Sequence, residues 1–251
     1  MAVGLDEISL AQLAIIAATA LITSVIGGVA GYGTGALMPL VLVPIVGAEP
    51  VVPIVSLSAL FTNGSRFAAF RRLVDARCAR IVLAGAVPTC AIGAWAYTRL
   101  TGRGALIVIG SMLIASVPFR RHLRRRGFKL SGRGLAAGAL GWGPLAGGTV
   151  GAGIIMLSLL MAAGLEGAAV VATDAVISIG IGITKFAVFG LAGVVTAKVL
   201  IVALLIGCLA FPGAFVARTL VDRMPPHIHT ALLDAVVTGG GAVMIINAVA
   251  S

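Results

Sequence analysis

Charge is what this sequence has least of. Its 251 residues include 8 aspartates and glutamates against 18 lysines and arginines, so only 10% of the chain is charged. Soluble domains carry roughly 25%. With 60% apolar residues and a mean hydropathy of +1.15, this chain cannot cover itself with polar surface. No hydrophilic stretch is long enough to fold alone as a water-soluble domain. Cysteine is sparse too. Cys78, Cys90 and Cys208 show no C-x-x-C spacing, and Cys90 and Cys208 fall inside apolar runs, where a thiol serves as a small packing residue. His227 and His229 share the Pro225-Pro226 loop without a third ligand, so no metal site is expected. The motifs G-x-x-x-x-G-K-S/T, H-E-x-x-H and G-x-S-x-G are all missing, which argues against an ATP-driven pump and against an enzyme; no cofactor is implied.

What the chain has instead is long apolar runs, as in Leu10–Ile26, Ile81–Tyr97 and Val199–Val216. Backbone inside a bilayer must bond to itself, leaving helices or a closed barrel. Barrel strands alternate apolar and polar residues, whereas these runs are continuous. The expectation is an all-α, polytopic membrane protein. The net charge of +10 then marks short cytoplasmic connections rather than a nucleic-acid footprint, with membrane lipid as the surrounding partner. Asp6 and Glu7 stand where a signal peptide is basic, so the first apolar segment is expected to be retained.

Two apolar stretches are interrupted by glycine. Leu10 to Val46 would form a rod of about 55 Å against a hydrocarbon core of about 30 Å, and it is broken by Gly27-Gly28-Val29-Ala30-Gly31-Tyr32-Gly33-Thr34-Gly35. Leu135 to Gly164 is broken by Gly147-Gly148-Thr149-Val150-Gly151-Ala152-Gly153. Each reads as a re-entrant hairpin or as one tilted, broken span. Three ordinary spans follow each break: Val51–Phe70, Ile81–Tyr97 and Gly104–Phe119, then Ala168–Phe189, Val199–Val216 and Thr230–Val249.

The two halves look like copies. Arg66-Phe-Ala-Ala-Phe aligns with Lys185-Phe-Ala-Val-Phe, Gly33-Thr-Gly-Ala-Leu-Met with Gly151-Ala-Gly-Ile-Ile-Met, and Gly93-Ala-Trp with Gly213-Ala-Phe. The offset drifts only from about 118 to about 120 residues. The division expected is a first repeat over 1–119, a basic cytoplasmic linker over 120–133 and a second repeat over 134–251. The linker holds Arg120, Arg121, Arg124, Arg125, Arg126, Lys129 and Arg133. A hairpin plus three spans per half would invert the repeats and add Arg71, Arg72, Arg77, Arg80, Arg218 and Arg223 to the cytoplasmic side. Four full spans would make them parallel and place Arg99, Arg103, Arg218 and Arg223 outside. The positive-inside rule favours inversion.

Arg66 and Lys185 are the candidate binding residues. A cation near the bilayer centre costs roughly 2.5–3.5 kcal/mol on insertion scales, so it is paired or functional unless it snorkels to the interface. Helices restarting after the glycine breaks would aim free N–H groups and a positive dipole end at an anion, with Gly33, Gly35, Gly151 and Gly153 allowing close approach. The same glycines also suit tight helix packing. Asn63 lies one turn before Arg66. Ser65 and Thr184 each precede a cation and either face the ligand or bond their own backbone. Asp174 is the carboxylate inside an apolar run, a candidate coupling residue unless it sits at the helix mouth near Glu166. It is about 16 Å along the helix from Lys185, too far for an ion pair between them.

Gly31-Tyr-Gly-Thr-Gly-Ala-Leu-Met-Pro39, Asn63-x-x-Arg66 ahead of Leu73-Val74-Asp75, and the second copy around Gly148–Met156 resemble the TauE/SafE sulfite exporter family, also called the toluene-sulfonate uptake permease family. The resemblance extends over essentially the whole chain. It implies a bacterial inner-membrane secondary transporter for small sulfur-containing anions such as sulfite, sulfonates or sulfoacetate-like compounds, bound between the repeats. One departure is Gly182-Ile-Thr-Lys185, which lacks an asparagine at the position matching Asn63. Two rival expectations are an anion channel lined by the same cations and a membrane thiol or sulfur-relay protein using Cys90 or Cys208.

Overall fold

The computed structural model describes residues 9–30, 34–126, 129–213, 215, 216, 242, 245, 246 and 249. Among them every regular element is helical: α1 (Leu10–Ala30), α2 (Thr34–Val46), α3 (Val51–Phe70), α4 (Ala76–Tyr97), α5 (Gly102–Arg126), α6 (Gly132–Gly148), α7 (Gly153–Ala162), α8 (Ala168–Leu191) and α9 (Ala197–Ala210). A short 3₁₀ turn, Arg71–Leu73, follows α3.

Local chemistry sets the boundaries. Asp75 takes the Cys78 N–H at 2.8 Å and starts α4 five residues ahead of the apolar run, carrying the helix through Arg77 and Arg80. Ser131 caps α6 and Thr196 caps α9 in the same way. Glycines with positive φ turn the chain at Gly47 (81°) and Gly164 (96°). α5 continues past Phe119 to Arg126, because arginine is a good helix former and no breaker intervenes. The expected span Thr230–Val249 lies, but for four positions, outside the described residues.

Each glycine break divides its apolar stretch into two helices that pack on one another, α1 with α2 and α6 with α7. At 13 and 10 residues, α2 and α7 rise only about 20 Å and about 15 Å, short of a 30 Å core. α4 and α8 are long and apolar enough to cross a membrane. Large apolar side chains point outward from them, Ile92 and Trp95 on α4 and Ile183 and Phe186 on α8. Arg99 lies over the Trp95 ring at 4.9 Å, the pairing of an aromatic and a cation that suits a membrane interface.

Packing centres on α3 and α8, which lie against each other; α4 also packs on α8, and α9 on α3. One apolar core joins Ile16, Met38, Leu42, Ile54, Leu113, Phe189 and Ile206. A second joins Val82, Leu135, Trp142, Met156, Leu160 and Ile177. The tightest contact is between α4 and α6. A Cβ on Gly93 would run into the Pro144 carbonyl, one on Gly147 into the Cys90 carbonyl, and one on Gly148 would lie 3.2 Å from the Gly93 oxygen. Gly143 and Gly147 are spaced four apart, so backbone meets backbone along this seam.

Candidate functional site

α3, α8 and the ends of both broken helices surround a cavity of about 140 Å³. One water needs roughly 10–15 Å³ by such a measure, so a small ion fits with room for solvent. Three ionisable side chains line it, each almost wholly buried: Arg66 is 7% exposed, Asp174 2% and Lys185 5%.

Arg66 enters from α3. Its Nη1 lies 3.3 Å from Asn63 Oδ1, one helical turn back, and 4.0 Å from Asp174 Oδ2 on α8. Asn63 spends its oxygen on the guanidinium, which leaves its NH₂ as the donor end. Asp174 is held deep in the protein and not at the helix mouth. α8 is anchored alongside the turn before α4 by a 3.0 Å bond from the Asp75 N–H to Thr173 Oγ1. The other oxygen of Asp174, Oδ1, is buried with no hydrogen-bond partner.

Lys185 enters from about three turns further along α8. Its ammonium donates to Ala146 O at 2.9 Å and Thr149 O at 3.0 Å, the carbonyls that end α6. That is the negative end of the helix dipole, where a cation is favoured. An ammonium has three N–H donors, so one remains for the cavity. The end of α6 is itself fixed by Trp142, whose Nε1–H donates to Ala152 O at 2.8 Å.

The glycine breaks close the cavity. Gly151 has φ +82°, a conformation that only glycine adopts without strain, and α7 starts two residues later from Ala152 with no side-chain cap. Among the described residues the Gly153 N–H makes no hydrogen bond. A Cβ on Gly35 would lie 3.8 Å from Gly151 N, so the two breaks abut. Thr34, the first residue of α2, brings a buried Oγ1 with no partner.

Of the residues singled out from sequence, Arg66, Lys185, Asn63, Asp174, Gly35, Gly151 and Gly153 share this one cavity. Ser65 and Thr184 do not line it; their hydroxyls donate to Thr62 O at 3.0 Å and Gly180 O at 2.9 Å within their own helices. Gly33 lies outside the described residues. Thr34, Trp142, Thr149 and Ser178 also line the cavity and escaped the sequence reading. The positions of Thr34 and Thr149 within the glycine-rich breaks are the available signal for those two; nothing in the sequence marks Trp142 or Ser178. Cys90 is buried in the α4–α6 seam and Cys208 is exposed on α9. No cluster of three metal-ligating side chains occurs among the described residues.

Against known proteins, the family described as Sulfite exporter TauE/SafE matches residues 16–244. No curated protein and no solved structure matches the chain.

Proposed function

The chain belongs to the TauE/SafE sulfite exporter family, and on that premise we propose that it is a multi-pass inner-membrane secondary transporter that exports a small sulfur-containing anion through the cavity between α3 and α8. The observation that carries this reading is the meeting of two buried cations, one from each half of the chain, with two helix N-termini in a single cavity. An oxyanion there would take charge-assisted hydrogen bonds from Arg66 and from the third Lys185 N–H. The Asn63 NH₂, the Thr34 hydroxyl and the Gly153 N–H complete the donor set. The positive dipole ends of α2 and α7 add to it.

In this reading the halves are repeats related by a two-fold. The packing supports it: exchanging α3 with α8 and α4 with α9 turns the α4–α8 contact into α9–α3, and the α4–α6 contact into α9–α1, and all four occur. We take the repeats as inverted, with the basic linker after α5 in the cytoplasm. Access to the cavity alternates between the two sides. A membrane potential that is negative inside favours exit of an anion by about 2.3 kcal/mol per charge per 100 mV, so net export needs no coupled ion.

Methanesulfonate binding to detergent-purified protein tests the proposal. Arg66→Ala and Lys185→Ala should each weaken binding at least tenfold. Wild-type affinity in both variants would remove the anion from this cavity.

A further inference from the structure

We infer that Asp174 makes the cavity selective for the valence of its anion, admitting monovalent sulfur oxyanions and excluding divalent ones unless a proton enters with them. The inference rests on the anion site proposed above. Among the described residues the cavity wall carries two positive groups, Arg66 and Lys185, and one negative group, Asp174. Its net charge is therefore one positive unit, which a monoanion neutralises. A dianion leaves an uncompensated negative charge against ionisable side chains that are each almost wholly buried, beside a carboxylate that lies 4.0 Å from the guanidinium the anion must share.

No other group stands ready to absorb that charge. α2 presents Thr34, and α6 and α7 present Trp142, Thr149 and the Gly151–Gly153 backbone. On α4, Cys90 is buried in the seam with α6 and does not line the cavity, and Asp75 at the helix start donates its backbone N–H to the Thr173 hydroxyl of α8. Arg71 and Arg72, on the turn beside α8, are exposed to solvent. The atom that can respond is Asp174 Oδ1, buried and without a partner. Protonated there, the carboxyl loses its charge and gains an O–H donor, and the dianion enters with one proton as a net single negative charge. For sulfite itself the species taken without proton uptake is hydrogensulfite.

Methanesulfonate and sulfate are matched probes, since both present a tetrahedral sulfur and they differ by a methyl group against a charged oxygen. Titration calorimetry in two buffers of different ionisation enthalpy counts protons taken up on binding. Wild-type protein should bind methanesulfonate with no proton uptake and at least tenfold more tightly than sulfate. Any sulfate binding should take up close to one proton. Asp174→Asn should shift the sulfate-to-methanesulfonate affinity ratio toward sulfate by on the order of ten- to a hundredfold, the size of one charge–charge interaction at these separations in a protein interior, and should abolish the proton uptake. A wild-type protein that binds both anions equally without taking up protons would overturn the inference even if Asp174→Asn does not fold. So would an unchanged ratio in a folded variant. If Arg66→Ala and Lys185→Ala leave anion affinity intact, the site itself is wrong and the valence rule falls with it. If they weaken binding while Asp174→Asn moves both anions equally, the site stands and the rule alone is lost.

Discussion

Gly147→Ala should be among the most damaging single methyls that can be added to the described residues. The new Cβ would meet the Cys90 carbonyl oxygen directly and stand 2.7 Å from the Ala94 nitrogen and 2.9 Å from the Cys90 carbonyl carbon. All three obstacles are backbone of α4, so none can rotate away. Restoring ordinary contact with Ala94 N alone, at 3.4 Å, parts the helices by about 0.7 Å at this point. Overpacking of this kind costs about 1–3 kcal/mol, and an unyielding backbone neighbour puts the cost at the upper end. In a chain of this length each kcal/mol lowers the melting temperature by about 2–4 °C, so a fall of about 6–12 °C is expected. Gly141→Ala on the same helix is the control, because nothing lies within 4 Å of its added Cβ. Thermal unfolding of both variants in one detergent decides the matter. Gly147→Ala also moves Ala146 O, an acceptor of the Lys185 ammonium, so anion affinity should drop alongside stability. Equal melting temperatures for the two variants would mean that the α4–α6 contact is not the close seam described.

Two further outcomes follow from the buried polar groups. Arg66→Met strands the Asp174 carboxylate, at a cost of about 3–5 kcal/mol, whereas adding Asp174→Leu should recover most of that loss; single and double variants that melt alike would show that the 4.0 Å pair carries no coupling. Thr34→Val deletes a buried hydroxyl that has no partner, so it should melt no lower than wild type, while losing about 1 kcal/mol of anion binding, roughly fivefold. A drop in melting temperature without a change in affinity would give Thr34 a structural role instead.

The helices were largely legible in the sequence. Val51–Phe70 reads as one membrane span despite its polar residues and folds as α3 over those same residues, and both glycine-rich interruptions become helix breaks. Helix ends governed by polar residues were harder to place: α4 starts at Ala76 because Asp75 caps it, a short-range hydrogen bond that hydropathy does not register. In the cavity, the buried cations were visible through the cost of burying them, but their partners were not. On its own helix Asp174 has Lys185 about three turns away, out of reach, while its partner Arg66 is far away in sequence and meets it only because α3 and α8 pack. The attachment of Lys185 to Ala146 O and Thr149 O depends likewise on where α6 stops. Such pairings are properties of the assembled bundle and leave no local mark.

The contact between α4 and α6 also bears on how the molecule can move. α4 precedes the basic linker and α6 follows it, yet at Gly93, Gly147 and Gly148 backbone meets backbone with no side chain to act as a bearing. Sliding one along the other would drive carbonyl into carbonyl, so the two must travel as a single strut. The bodies that move in the proposed transport cycle are then not the N-terminal and C-terminal portions. Under the alternating access proposed above, each moving body would borrow a wall from the opposite portion, and the play needed to open one side and shut the other would fall along surfaces where flexible side chains, such as Leu60 against Gly182, still separate the helices.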